Sequence, residues 1–260
     1  MSLEAFAQFA VREPERLRVG GEIPAVVVRP EGERSRPGVL VQHGYGSSKE
    51  EVLPIALMLA SCGFVTLVPD AWGHGERLPP TGPNWMTASS ADYFLTVVRR
   101  TVAEVPQALD TLAALPDVRA EALVAAGFSM GAMVALILAT EDARVAGVIS
   151  IAGSPLPDLL PIHLFGPDKP SEEAKVWARE HDAAAHIARY APRPLLLQHG
   201  RADDMVPVAG TLRLHAAAQP LYRDYPDQLS LKLYDHTHLI TEAEAADAIG
   251  WLLAHFAPRP

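Results

Sequence analysis

Gly127-Phe128-Ser129-Met130-Gly131 brackets a single serine with two glycines, between the apolar run Leu123 to Phe128 and the Ala/Leu/Ile-rich run Gly131 to Thr140. A serine hydroxyl is a weak nucleophile, so chemistry at it needs exposure, a neighbouring base and hydrogen-bond donors for the charge that develops. A sharp strand-to-helix turn meets the first need by lifting the side chain clear of a sheet at a helix N-terminus. The turn is tight enough that its flanks tolerate only the smallest residues, which accounts for both glycines. The competing reading is a glycine-rich turn with an ordinary N-cap serine. An apolar strand pattern before the turn and a helical one after it favour the nucleophile.

The other parts of such a site can be sought at the ends of other apolar runs. His43-Gly44-Tyr45-Gly46 follows the run Gly38 to Gln42. Attack on a carbonyl makes its oxygen an anion, and two backbone N–H donors aimed at that oxygen typically contribute about 3–4 kcal/mol each. The N–H of Met130, the residue after the serine, and that of Tyr45 are the expected pair, with Gly44 and Gly46 allowing close approach. His43, at a strand end beside glycine, is expected to brace this loop. An acid is offered by His199-Gly200-Arg201-Ala202-Asp203-Asp204-Met205-Val206-Pro207, where Asp203 and Asp204 compete. A base is offered by Tyr234-Asp235-His236-Thr237-His238-Leu239-Ile240, where His236 and His238 stand two apart. A carboxylate fixes the tautomer of a base histidine, which takes the proton from the serine and returns it to the leaving group. A His-x-His metal pair is a further possibility for the last segment. No Cys/His/Asp cluster elsewhere has convincing ligand spacing, so neither a metal nor an organic cofactor is expected. Cys62, the one cysteine, reads as a small buried hydrophobe.

These segments need elements to carry them. Ala25 to Val28 reads as a strand of an opening hairpin. Further strands are Gly38 to Gln42, Phe64 to Val68, Leu123 to Phe128, Val145 to Ala152, Pro194 to Gln198 and Leu229 to Tyr234. Helical patterns lie between them, at about Glu50 to Ser61, Asp92 to Leu115 and Gly131 to Thr140, and after each of the last two strands. Such alternation predicts an α/β domain with a mostly parallel sheet covered on both faces and a ligand site beyond the carboxyl ends of the strands. Two stretches break the rhythm. One is Pro79 to Ser90. The other is an insertion at about 155–190, in which Ser171-Glu172-Glu173 starts a helix-like piece reaching about Ile187. Its size predicts a small lid over the site. Asp70 to Arg77 is read either as a border of the substrate site or as a structural loop closed by an Asp–Arg ion pair. Trp72, Trp85, Phe94, Phe165, Trp177 and Met205 are candidates for an apolar substrate pocket or for plain core.

The chain has 260 residues, 49% hydrophobic and 20% charged, which suits one large globular domain. Its net charge of −9, without a Lys/Arg block, argues against nucleic acid and anionic membranes as partners. The first fifteen residues lack a basic start followed by an apolar run, and no stretch approaches the roughly 20 apolar residues of a membrane span. A cytoplasmic protein is expected.

From about Pro24 onward the combination resembles the α/β-hydrolase superfamily, and within it the small bacterial esterases related to dienelactone hydrolases and to the catalytic domain of prolyl oligopeptidases. The resemblance rests on His43-Gly44-Tyr45-Gly46 with Lys49-Glu50, Pro69-Asp70 with His74-Gly75-Glu76-Arg77, the turn at Ser129, His199-Gly200-x-x-Asp203 with Val206-Pro207, and the histidine loop before a last helix. It implies a single α/β-hydrolase domain with the chain order Ser, Asp, His. In the family's acid motif the aspartate stands four residues after the histidine, which selects Asp203; the final histidine, followed by an apolar residue and a helix start, selects His238. Dienelactone hydrolases use cysteine where this chain has Ser129, which implies ester hydrolysis instead. A small-molecule ester with a short acyl group is the expected substrate, the insertion being modest. A thioesterase, a peptidase or amidase, and a non-catalytic binding module are the alternatives. The residues ahead of Pro24 are too few for the propeller that prolyl-oligopeptidase-type peptidases carry, and no triad member is missing as binding modules usually require.

Overall fold

The computed structural model describes residues 3–32, 35–82, 84, 86, 90–158 and 169–257. Eight strands form one sheet: β1 (Glu15–Val19), β2 (Ile23–Val28), β3 (Arg36–Gln42), β4 (Val65–Pro69), β5 (Val118–Phe128), β6 (Val145–Ile151), β7 (Leu195–Gly200) and β8 (Leu229–Tyr234). Their order is β1-β2-β4-β3-β5-β6-β7-β8. β2 runs antiparallel to β1 and β4, and all pairs from β4 through β8 are parallel. The strand expected at Ala25 to Val28 is β2; its hairpin partner β1, with a mostly exposed and charged sequence, gave no apolar signal of its own.

Helices α1 (Lys49–Ser61), α2 (Ala91–Ala113), α3 (Met130–Glu141), α4 (Glu172–Glu180), α5 (Ala183–His186), α6 (Val208–Ala218) and α7 (Glu242–Phe256) cover the sheet. Side chains alternate along each strand, and the two faces take different helices. Leu40, Leu123, Ala125, Leu195 and Leu197 face one core together with α2 and α3. Val39, Val41, Val124, Ala126 and Leu196 face the other with α1 and α7. α3 is buried from Met130 to Thr140, as a helix apolar on all sides must be. Cys62 is buried and free, with its thiol pushed up by burial. Among the described residues no helix is long and apolar enough to cross a membrane.

The insertion is shorter in helix than its sequence pattern suggests. Ser171 caps α4 through Ala174 N–H, but the helix ends at Glu180, and Asp182 caps a separate short turn, α5. α4 packs on α2 and α5 on α6. Residues 159–168 lie outside the described residues, as do Trp85 and Phe165.

The loop after β4 is tied to the start of α1 by a buried cation. Lys49, 1% exposed, sets its ammonium 2.9 Å from Asp70 Oδ2 and 2.7 Å from Glu76 Oε1. Asp70 also accepts from the backbone N–H groups of Lys49 and Glu76. Burial alone would lower the ammonium's pKa, but the bonds to Glu76 and Asp70 outweigh it and raise it. The expected Asp–Arg ion pair is therefore corrected. Arg77 donates to the backbone carbonyl of Asp70 and pairs with the carboxylate of Glu104 instead, because Lys49 already occupies the Asp70 carboxylate. Breaking a buried pair leaves an uncompensated charge. Lys49→Met should lower unfolding free energy by about 3–5 kcal/mol, read as a reduced urea midpoint at pH 7.

Candidate active site

Ser129 sits between the end of β5 and the start of α3 with φ 55° and ψ −121°, a strained conformation for a residue with a side chain. Surrounding contacts impose it. A Cβ on Gly127 would overlap the backbone of Gly131 and Ala132, and one on Gly131 would overlap the carbonyls of Gln42 and His43. The helix thus starts hard against the end of β3, with Ser129 N–H bonded to Ile151 O, 2.9 Å away on the neighbouring strand.

The side chains of Ser129, His238 and Asp203 meet at the carboxyl edge. His238 Nε2 lies 3.0 Å from Ser129 Oγ, and His238 Nδ1 lies 2.7 Å from Asp203 Oδ2. The carboxylate can only accept, so Nδ1 carries the proton and Nε2 is left to accept from the hydroxyl. Asp203 is 8% exposed and its Oδ1 takes the N–H groups of Met205 and Val206. Burial alone would raise its carboxyl, but hydrogen bonds from His199, His238 and Val206 outweigh it and hold it well below the usual carboxylate range. Asp204, one residue on, is exposed.

The loops bearing acid and base are held together. Arg201 N–H donates to Tyr234 O and Ala202 N–H to His236 O, and a Cβ on Gly200 would collide with the carbonyls of His236 and Thr237. His236 is turned away from the serine. Its ring stacks on Tyr234, and its Nε2 lies 2.9 Å from Glu244, whose carboxylate also closes the capping box with Thr241 at the start of α7.

Two more histidines brace the loop after β3. His43 Nδ1–H donates to Gly44 O and its Nε2 accepts from Ala71 N–H. His74 Nδ1–H donates to Trp72 O and its Nε2 accepts from Gly46 N–H at 3.0 Å. Gly46 has φ +79°, which favours glycine, and its N–H is spent on His74. Gly44 is different: a Cβ there would make only ordinary contact, 3.5 Å from Phe128 and 3.7 Å from Ser129 Cβ. Tyr45 packs edge-on against His74 and Phe94. Met130 is the first residue of α3, so its N–H is one of those a helix leaves without an internal acceptor.

Ser129 and His238 open onto a cavity of about 480 Å³. Met205, 51% exposed, is at its edge, and Phe94 and Tyr45 line it. Trp72 and Trp177 do not. Trp72 packs against the core on the α2 side, near Tyr93. Trp177 stacks on His181 and faces a separate small cleft between α4 and α2. Large aromatics fill core and helix contacts as readily as they fill pockets, and here packing claimed both. None of the described residues of the insertion, and none from Asp70 to Arg77, lines the cavity.

His199, a marker of the acid motif in the sequence, is fully buried with Nε2 2.7 Å from Val206 O and 3.2 Å from Asp203 Oδ2. Its Nδ1 meets Thr211 Oγ1 at 2.7 Å. It and His74 were missed as site-building residues, although His199 lies at the carboxyl end of β7 and His74 in the loop after β4, where the fold concentrates polar side chains. Among the described residues no group of three His, Cys, Asp or Glu is placed to hold a metal ion.

An eight-stranded, mostly parallel sheet with this strand order, and with serine, imidazole and carboxylate aligned at its carboxyl edge, defines an α/β-hydrolase. The chain belongs to the dienelactone hydrolase family, which it matches over residues 23–246. It is 30% identical over 218 residues to esterase YjfP of Escherichia coli (strain K12), covering 78% of this chain and 84% of that protein. The crystal structure of TT1662 from Thermus thermophilus superposes with a TM-score of 0.80 and 28% identity, over 96% of this chain and all of the other. The acylaminoacyl peptidase of Pyrococcus horikoshii shares the fold (TM-score 0.71, 14% identity), with 99% of this chain matching 43% of that longer one.

Burial pushes the His74 imidazole down to about 4, below an unfolded value near 6.5. Above pH 6.5 both states are neutral and the bond from Gly46 stabilises fully. As pH falls from 6.5 toward 4 only the unfolded state takes up the proton, so stability is lost. His74→Gln should flatten the fall in urea midpoint between pH 7 and pH 5 relative to wild type. An equal slope in both proteins would contradict this account.

Proposed function

We propose that the protein is a serine esterase that works through an acyl-enzyme. The observation that carries this reading is the continuous hydrogen-bond line from Ser129 Oγ through the His238 ring to Asp203, opening onto a cavity large enough for a small-molecule ester. Ser129 Oγ attacks the ester carbonyl carbon while its proton passes to His238 Nε2. The resulting oxyanion is held by the N–H groups of Met130 and Tyr45. Asp203 stabilises the imidazolium through the Nδ1 proton and keeps the ring in the productive tautomer. Collapse of the tetrahedral intermediate breaks the bond to the alcohol oxygen, which leaves with the proton from His238. Water then enters, gives its proton to His238 Nε2 and attacks the acyl carbon. The acid departs and Ser129 regains its proton.

The family and the esterase name of the Escherichia coli relative support the bond type. The acidic net charge supports a small-molecule ester, not nucleic acid, as partner. Turnover of p-nitrophenyl butyrate tests the reading. Ser129→Ala should lower kcat by at least about 10⁴-fold, and Asp203→Asn by about 10³- to 10⁴-fold. Asp204→Asn should leave kcat unchanged. Equal rates in wild type and Ser129→Ala would remove the hydroxyl from the reaction.

A further inference from the structure

The cavity does not stop at Ser129. It runs from the serine and His238 along the face of the sheet, between α1 and α7, as far as Met58 and Leu252. We infer that this passage is the acyl site and that it takes an unbranched acyl chain of about six to ten carbons. The inference rests on the esterase reading and names its substrate class.

Three observations carry it. First, the floor is apolar and continuous across three strands. Val41 pairs with Ala126, and Ala126 with Ile149, on one sheet face. At the centre of that row stands an alanine, where a larger side chain would fill the gap. Second, each wall is one helix stripe. α1 presents Val52, Ile55, Met58 and Leu59; α7 presents Ala245, Ala248, Ile249 and Leu252, both at the spacing of a single helix face. A core-facing stripe normally closes onto its sheet at crystal-like density, but here Val52, Ile55 and Met58 stay half-buried, and the two alanines of α7 leave the opposite wall thin. Leaving such a stripe short of close packing forgoes burial that would otherwise stabilise the fold, and it leaves apolar surface for an apolar group to cover. Third, polarity is confined to the end nearest the serine, at Ser129, His238, Gln42, His43, Ser47 and Glu51. From Val52 inward the walls offer nothing to an alcohol, an amide or a charge.

The length follows from the helix that lines it. Val52 to Leu59 spans seven residues, about 10 Å at 1.5 Å per residue. An extended chain advances about 1.2 Å per bond, judged from about 3.5 Å over the three backbone bonds of a residue, so roughly eight carbons reach from the serine end to the inner wall. The acyl group, not the alcohol, belongs there. During turnover the alcohol must depart and water must take its place while the acyl group stays attached, so the alcohol needs the solvent side, where Met205 stands half-exposed. An apolar passage away from the Met205 side suits the group that stays.

The test is kcat/KM for two ester series: p-nitrophenyl alkanoates from acetate to hexadecanoate, and acetates of alcohols from ethanol to octanol. The value should rise at least tenfold from acetate to octanoate in the first series, fall again by hexadecanoate, and stay flat in the second. Ala248→Phe should lower the octanoate-to-acetate ratio at least tenfold. Ala126→Val, a smaller intrusion from the floor, should lower it by a lesser factor if the bulkier variant does not fold. A rise along the alcohol series alone overturns the assignment. So does an acyl series without an optimum that neither variant alters, and in both cases the esterase reading stands. If wild type turns over no ester of either series, the esterase reading fails, and calorimetry with octanoate and the Ser129→Ala protein decides the passage alone. Binding that Ala248→Phe weakens in the same background upholds an alkanoate site, and no binding overturns it.

Discussion

The start of α3 lies so close to the end of β3 that a single Cβ at Gly131 would overlap two carbonyls of that strand. Much of the site depends on this approach. It forces Ser129 to φ 55°, a conformation that an isolated turn would abandon, and it holds the hydroxyl above the sheet. It also brings the start of α3 alongside Gly44 in the loop after β3, two elements with no reason to meet on local propensity alone. The strain is offset by burial: α3 is apolar on every side and enclosed from Met130 to Thr140, so the helix cannot back away without exposing it. Core packing on one face of the sheet therefore fixes the geometry at its edge.

Five of the chain's ten histidines gather near that edge, and their partners assign them different tasks. His43 and His74 each donate from Nδ1 to a backbone carbonyl and accept at Nε2 from a backbone N–H. Such a ring works as a neutral strut and has no nitrogen left for a reaction. His236 stacks beside the helix cap and points at Glu244. His199 is sealed behind the carboxylate of Asp203. His238 alone among the five has one nitrogen on a carboxylate and the other facing a hydroxyl at a cavity. What separates a base from a brace is the partner of its second nitrogen, and that partner is a tertiary contact.

This explains what could and could not be read from the sequence. The turn at Ser129 was legible because its chemistry and its backbone demand the same five adjacent residues. The central strands were legible because they are buried on both faces and so are largely apolar, whereas β1, mostly exposed and charged, gave no such signal. Residue patterns alone left Asp203 and Asp204, and His236 and His238, as pairs; family resemblance chose between them, and the structure shows the physical difference as burial and reach. The Lys49–Asp70 pair joins residues 21 apart across a strand, and no local spacing announces it. Trp72 and Trp177 failed as pocket residues for a related reason. An aromatic side chain is large enough to serve a core or a cavity, and only the packing around it decides.

The two faces of the sheet, finally, solve different problems. On the α2 and α3 side the residues interlock, and the face serves rigidity. On the α1 and α7 side the same alternation of apolar residues produces helix stripes of the right spacing, yet alanines at 126, 245 and 248 keep them from closing. Both helices start just beyond site loops: α1 four residues after Tyr45, and α7 four residues after His238. The loops that hold Tyr45 and His238 are therefore continuous with the two helices that flank the cavity. A face left open in this way costs packing energy. The closed opposite face is what allows the fold to bear that cost.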